Sequence, residues 1–475
     1  MMPLARLLEA IPDANVDGPV DGVAITALAA DSRNVAPGAM FVAIAGEHVD
    51  GHRFLSDAIA AGARAIVVDR KPVDGRATII RVADTRIALS RLAARFYGEP
   101  SHKLRVIGIT GTNGKTTTTH MTRALLDACG IRSGYVGTLG ASYGEWTRGL
   151  QNTTPLPIEL QETLATMLDL GAKAVTMEVS SHALALHRVD DIRFTVGAFT
   201  NLTRDHLDFH LTIDAYAAAK RRLFDLAERA VLDVDDPHGA NWASELRSRG
   251  TPVVTYALDA PADLRATDVE LRPDASTFAV DGARVEVPLP GRFNVRNALC
   301  ALAIARSLEL DLNKAATALH GLPPVPGRME RYARDGVVAI VDYAHTPDAL
   351  ANVLRATRET MDGGKLFVVF GCGGDRDAGK RPQMGTIASN LADVVIVTND
   401  NPRSEDPLAI AREILAGAPN AEVELDRRVA IRAAIKRARK GDVVVVAGKG
   451  HEDYQIIGAA RTHFDDRDEV RAALA

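Results

Sequence analysis

Two stretches of this chain carry reactive residue types at spacings that ordinary packing does not require. The first is RVIGITGTNGKTTTTHM, in which Gly108 and the run Gly111, Thr112, Asn113, Gly114, Lys115, Thr116 and Thr117 lie between an apolar strand and a helical segment. Its spelling, G-x-x-G-x-x-G-K-T, departs from the strict phosphate-loop pattern only by an added internal glycine. Loop and helix N-terminal N–H groups hold phosphate oxygens, Lys115 brings a point charge to the outer phosphates, and the Thr116 hydroxyl is a ligand for Mg2+. The competing account is a glycine turn with an exposed lysine, and the flanking strand and helix speak against it. The second stretch is LADVVIVTNDNPRSEDP, where an apolar run meets Asp400, Asn401, Pro402, Arg403, Glu405 and Asp406. Arg403 presents a planar fork suited to a carboxylate, and Arg376 of GCGGDRD supplies a second. The plainer alternative is an arginine in a surface turn paired with Glu405 or Asp406.

Two further clusters lie between these stretches. AVTMEVSSHAL ends a strand in Glu178, and FTVGAFTNLTRDHLDFH ends another with Asp205, His206, Asp208 and His210. In a parallel sheet such ends line the crevice that takes the phosphates, which makes Glu178 a candidate Mg2+ ligand and His206 a candidate ligand of a second metal. A helix N-cap for Glu178 and structural hydrogen bonding for the histidine stay open. A phosphate loop by itself leaves kinase, motor, transporter ATPase and ligase equally possible.

The elements that must position these residues form three blocks. MFVAI, AIVVD and ATIIRV alternate with helices such as the one from Thr85 to Tyr97, until YGEPSHK breaks the pattern. RVIGIT, AVTMEVS, FTVGAFTNL and RAVLDV then alternate with helical segments, as in a mostly parallel sheet, until GLPPVPGRME breaks it again. VVAIVDY, KLFVVFG, DVVIVT, AEVEL and DVVVVAG form the last block. The expected class is α/β in three domains, 1–99, 100–327 and 328–475. The 475 residues carry a net charge of −5 with Lys and Arg spread evenly, so neither nucleic acid nor an anionic membrane is the expected partner. The three cysteines (Cys129, Cys300, Cys372) lie far apart and imply no disulfide framework, which fits a reducing cytoplasm. No stretch approaches membrane-spanning length. Cys372 has no His and acid partners in view, so a small residue in a tight loop is expected there rather than a nucleophile.

GTNGKTT, NTTP, EVSSHAL, TNLTRDHLDFH and YAAAKRRLF resemble the Mur ligases, the ATP-dependent amide-forming enzymes of peptidoglycan synthesis. PGRME, DYAHTPDAL, GCGGDRDAGKRP, DNPRSEDP and GKGHEDYQ are similar to the members that add the third residue of the stem peptide, and the motifs run from residue 31 to 455. The resemblance implies an N-terminal UDP-sugar-binding α/β domain, a central P-loop ATPase domain and a C-terminal Rossmann-like domain that brings the amino acid. It implies ATP, Mg2+ and a CO2-derived carbamate on Lys220, which would turn a cation into an oxygen-bearing anion beside the metal. From spacing alone Lys220 is an ordinary lysine on an amphipathic helix next to Arg221 and Arg222.

By position, the resemblance puts Ala30, Ser32, Glu47, His48 and Val49 near the uridine and diphosphate. Asn152, Thr153, Thr154, Ser180, Leu186 and Arg188 fall near the muramoyl dipeptide, Arg188 as a partner for the D-glutamate carboxylates. Leu186 stands where some relatives carry Gln, and Asp233 where Asn is frequent. Asn297, Arg328, Asp342 and His345 match ATP contacts, with Arg328 offsetting charge on the transferring phosphoryl group. Lys115, Lys220, Glu178, His206 and Arg328 are the implied catalytic set.

The clamp for the incoming amino acid is expected from Arg376, Asp400, Asn401, Pro402, Arg403, Gly448 and Glu452. DNPR matches the pattern associated with meso-diaminopimelate rather than L-lysine. Without the distal carboxylate Arg403 would face no anion, at a cost of roughly 2 to 5 kcal/mol. The implied substrates are UDP-MurNAc-L-Ala-D-Glu, meso-diaminopimelate and ATP. A monomer acting without membrane insertion is expected, with closure about linkers near residues 100 and 327. The rivals are a lysine-adding Mur ligase, folylpolyglutamate synthase, and a nucleotide-gated scaffold without turnover.

Overall fold

In the computed structural model, residues 1–475 are described except Glu47, His48 and residues 71–76. Glu47 and His48, two of the expected uridine-diphosphate contacts, therefore lie outside the described residues. The chain divides into two compact units, one of Met1–Gly108, Ile131–Gly197 and Ala219–Glu228, the other of Ile109–Gly130, Ala198–Ala218 and Arg229–Ala475.

The first unit opens with a five-stranded sheet in the order Asn15–Asp17, Thr78–Arg81, Ala65–Val68, Met40–Val42, Leu28–Ala29. Only its first pairing is antiparallel. Successive strand residues point to opposite faces. Val42, Val67 and Ile80 accordingly pack with Leu4, Leu7 and Leu92 on one side. Phe41, Ile66 and Ile79 pack with Leu55 and Ala58 on the other. The helix expected at Thr85 begins there because Asp84 accepts the amides of Arg86 and Ile87, and it runs to Phe96.

Strand β1 (Arg105–Thr110) passes from the first unit into the second. Strand β2 (Ala174–Glu178) lies parallel to Ser133–Gly137. Every residue of β2 is buried, as expected of a parallel strand covered on both faces. Strand β3 (Phe194–Phe199) likewise starts in the first unit and ends in the second.

The second unit holds helix α1 (Lys115–Ala128) and helix α2 (Arg292–Ser307), and a six-stranded C-terminal sheet. That sheet runs in the order Glu330–Arg334, β4 (Val337–Asp342), Val443–Ala447, β5 (Leu366–Phe370), β6 (Val394–Val397), Glu422–Val423. The Val443–Ala447 strand is β7. Apart from the antiparallel edge hairpin, all pairings are parallel. Four loops therefore leave the same carboxyl edge, after Asp342, Phe370, Val397 and Ala447, and each carries residues singled out by the sequence. This is where an open α/β sheet places its ligand. No helix among the described residues is long and apolar enough to cross a membrane.

Candidate active site

The phosphate loop is shaped by glycine at two points. Gly111 has φ +150° and a Cβ there would lie 1.9 Å from the Thr200 hydroxyl, while at Gly114 (φ +84°) it would lie 2.3 Å from Asn297 Oδ1. The loop is tied to the end of β3: the Thr112 amide donates to the Asn201 carbonyl, the Asn113 amide to Asn201 Oδ1, and the Thr200 hydroxyl to the Asn113 carbonyl. Helix α1 has Gly114 as its N-cap and no side-chain cap, the arrangement in which first-turn amides take a ligand's oxygens. Lys115 Nζ donates to the carbonyls of Gly111 and Thr112, both at 2.9 Å. Buried Asn297 accepts from the Thr118 hydroxyl and donates to Asn294, so it supports the loop from α2.

Three residues assigned to nucleotide from the last third of the chain join this loop. Arg328 donates from Nη2 to the Thr116 hydroxyl at 3.1 Å, with its guanidinium 4.6 Å from the Tyr343 ring centre. Asp342, at the end of β4, accepts the Met329 amide at 2.8 Å and so fixes the loop that carries Arg328. Burial raises the Asp342 carboxyl, against the field of Arg328 and two backbone amides. His345 donates from Nδ1 to the Tyr343 carbonyl, and burial with the charge of Lys380 holds its imidazole neutral-leaning, below the ordinary value. Asn113 reaches Asp348 at 2.8 Å, a contact that no motif announced.

The Asp205–His206 pair follows β3. His206 has φ +54°, its amide donates to Asp205 Oδ1, and its Nε2 lies 3.3 Å from Asp205 Oδ2. Burial alone would raise Asp205, but His206, His345 and Lys380 take it down to about 2. Arg204, one residue earlier, pairs with Asp377 at 3.2 Å and joins this segment to the GCGGDRD loop.

In the first unit a second cluster gathers Thr153, Thr154, Glu178, Ser180 and Arg188. Glu178 is 1% exposed. Its Oε1 accepts from the Tyr135 hydroxyl and the Thr138 amide, and its Oε2 from the Thr138 hydroxyl. The N-cap of the Ser181–Ala185 helix is Ser180, so the capping account of Glu178 does not hold. The Thr154 hydroxyl donates to the Glu178 carbonyl, and the Thr153 hydroxyl lies 3.2 Å from that of Thr138. Arg188 donates to the Thr154 carbonyl, while its buried Nε has no hydrogen-bond partner among the described residues. Burial and the charge of Arg86 lower its pKa, which leaves a half-desolvated guanidinium suited to a carboxylate. Leu186 ends the helix and brings no polar atom. Asn152, Ala30 and Ser32 are half-buried and Val49 is exposed.

The expected amino-acid clamp assembles on the carboxyl edge of the C-terminal sheet. Arg403 has φ +53°, and its backbone is held on both sides: its amide donates to the Ile456 carbonyl and its carbonyl accepts from Gly458. Its Nη1 donates to the Gly374 carbonyl at 2.6 Å. The surface-turn account fails here, because Glu405 pairs with buried Arg381 and Asp406 caps the next helix through the Leu408 amide. Neither Arg403 nor Arg376 forms an ion pair among the described residues, and both fields fall on Asp375. Asp375 accepts from the Ser404 hydroxyl and amide, which ties the two arginine-bearing loops together. Asn401 donates to Glu452 Oε2 at 2.8 Å and accepts from Lys449 and the Ile456 amide. Gly448 needs its φ of +117°, since a Cβ would lie 2.8 Å from Asp400 Oδ2.

The Thr116 hydroxyl and the Glu178 carboxylate are each hard oxygen donors of the kind that Mg2+ takes. Among the described residues no group of three or more His, Cys, Asp or Glu side chains gathers as a metal cage. Lys220 is 1% exposed at the end of the Ile213–Arg221 helix. Cys372 packs its Sγ 3.6 Å from Met384 Sδ and burial pushes its thiol up to about 12, so it is a packing residue. Asp233, the second departure, is fully buried and pairs with Arg296 at 2.6 Å.

Three buried cations of the site escaped the sequence: Lys380, Lys449 and Arg427. Arg427 binds both oxygens of Asp466 and donates to the carbonyls of Asn399 and Ala447, at the ends of β6 and β7. The sequence signal available was GKGHE and the pair Arg427–Arg428 opening a basic helix, neither of which distinguishes a buried cation from a solvated one.

Fold and site define a P-loop nucleotide-binding α/β protein whose last sheet carries two arginines without ion-pair partners among the described residues. Three family models match successive segments: "Mur ligase family, catalytic domain" over residues 24–97, "Mur ligase middle domain" over 109–305 and "Mur ligase, glutamate ligase domain" over 327–450. A protein of Thermosynechococcus vestitus named UDP-N-acetylmuramoyl-L-alanyl-D-glutamate--2,6-diaminopimelate ligase is 48% identical, covering 95% of this chain and 93% of its own. One of the same name from Gloeobacter violaceus is 44% identical, covering 100% and 99%. A solved structure of a ligase of that name superposes with a TM-score of 0.71 at 34% identity, covering 98% of each chain. The chain belongs to the Mur ligase family.

Proposed function

We propose that this protein is the ATP-dependent ligase that joins meso-diaminopimelate to UDP-MurNAc-L-Ala-D-Glu in peptidoglycan precursor synthesis. The observation that carries the reading is the pair of guanidinium groups, Arg376 and Arg403, without ion-pair partners among the described residues, on two loops locked by Asp375 and Ser404. A guanidinium fork without an ion-pair partner among the described residues suits a substrate that brings an extra carboxylate.

The chemistry then runs in two steps. The D-glutamyl side-chain carboxylate attacks the γ-phosphorus of ATP in line, giving an acyl phosphate and ADP. The neutral amine of diaminopimelate attacks the acyl carbon, and the tetrahedral intermediate expels inorganic phosphate. Lys115 and the α1 amides hold the phosphates, and Arg328, already on the Thr116 hydroxyl, offsets charge on the phosphoryl group in flight. Arg188 takes an acceptor carboxylate, with Asn152, Thr153, Thr154 and Ser180 beside it, and Asn297, Asp342 and His345 shape the nucleotide side. Thr116, Glu178 and His206, with a carbamate on Lys220, are the residues that would hold Mg2+, which would offset phosphate charge. Burial of Lys220 supports that modification.

We assign the domains as 1–99, 100–327 and 328–475; what supports the three-part division is that the family models match three successive segments, 24–97, 109–305 and 327–450. The enzyme acts as a cytoplasmic monomer in this reading. The test is ADP release in the presence of UDP-MurNAc-L-Ala-D-Glu with each of meso-diaminopimelate, L-lysine and L-glutamate. Release with diaminopimelate alone is expected. Equal release with lysine, or none with any acceptor, overturns the assignment.

A further inference from the structure

Lys449 is 0% exposed, and nothing in the reaction above uses it. Its Nζ donates to Asn401 Oδ1 at 3.0 Å and to Glu452 Oε2 at 3.3 Å, and lies 3.6 Å from Asp400 Oδ1. Asn401 donates to the same Glu452 oxygen, so the three side chains close a ring of contacts. Two carboxylates thus face one ammonium, and the neighbouring Arg427 is already neutralised by Asp466.

We propose that Lys449 is a positioning residue for the amino-acid substrate, holding Glu452 and Asn401 in register. This rests on the function proposed above. The groups facing Glu452 are Asp400, Lys449, Tyr343, Tyr454 and Arg427. Burial and Asp400 push the Glu452 carboxyl up, while Lys449 and Asn401 pull it down. Loss of the lysine charge therefore moves protonation of Glu452 to higher pH.

The test is steady-state kinetics of the full-length protein across pH with diaminopimelate varied. In Lys449→Met the KM for diaminopimelate rises about tenfold or more, with kcat and the KM for ATP within about threefold. The acid limb of kcat/KM moves up by about one pH unit. Added to Glu452→Gln, the same change costs little more, since both act on one carboxylate. An unmoved acid limb with unchanged KM, or fully additive losses, overturns the proposal. Lys449→Gln, which keeps a donor to Asn401 without the charge, is the second variant if Met does not fold, and a wild-type acid limb in it is equally fatal. Wild-type protein that ignores diaminopimelate overturns this inference together with the assigned function, whereas the other results overturn the inference alone.

Discussion

Replacing Arg403 by Met removes one guanidinium from the clamp and leaves its frame in place. The left-handed backbone at φ +53° is held by the Ile456 carbonyl and the Gly458 amide, neither of which depends on the side chain. Within the protein the side chain loses only its 2.6 Å bond to the Gly374 carbonyl, worth about 1 kcal/mol. Toward substrate it loses a partner for a distal carboxylate in a partly desolvated site, worth roughly 2 to 5 kcal/mol. That corresponds to roughly 30-fold to several-thousand-fold in kcat/KM for diaminopimelate. L-Lysine has no such carboxylate, so its kcat/KM stays within about threefold and the preference collapses. Arg403→Lys falls between the two, because an ammonium lacks the fork. Competition between the two amino acids, read by product mass, measures the ratio directly. A preference that survives Arg403→Met intact refutes the assignment of specificity to this loop.

Gly111→Ala places a Cβ 1.9 Å from the Thr200 hydroxyl, so the loop must move and ADP affinity by calorimetry falls tenfold or more, roughly, with melting little changed; unchanged affinity sinks the account of the loop. Asp466→Asn leaves Arg427 buried without its full countercharge and lowers stability by about 3 to 5 kcal/mol. The double change Arg427→Met with Asp466→Leu recovers much of that loss in melts but raises the KM for the amino acid, because the ends of β6 and β7 lose their shared donor. Asp233 is raised to about 6 by burial, against the pull of Arg296. An acid raised above its unfolded value binds more protons when folded, so its contribution to stability is present at low pH and is lost as pH rises from about 4 to about 6, by no more than about 3 kcal/mol. In Asp233→Asn that component of the slope is absent; identical pH profiles of melting in the two proteins contradict it.

The phosphate loop was legible because its chemistry is local: glycines at set positions, a lysine and a threonine at a helix start need no distant residue to be recognised. The strands were legible for a similar reason, since runs such as VVVVA, buried along their whole length, suit only a sheet covered on both faces. The motif residues Arg328 and Thr116 were each visible, but that one hydrogen-bonds the other across 212 positions is a property of the folded chain. The same holds for Arg403, whose surface-turn alternative disappeared only when Arg381 and the Leu408 amide were found to occupy its nearby carboxylates. Lys449 and Arg427 read as ordinary cations in the sequence, and their roles rest on being fully buried beside particular carboxylates. Residue type and short-range spacing determine which groups are available and which elements they end. Which charges lie together in low dielectric is decided by tertiary packing, because electrostatic coupling depends on distance and desolvation in space rather than on separation along the chain.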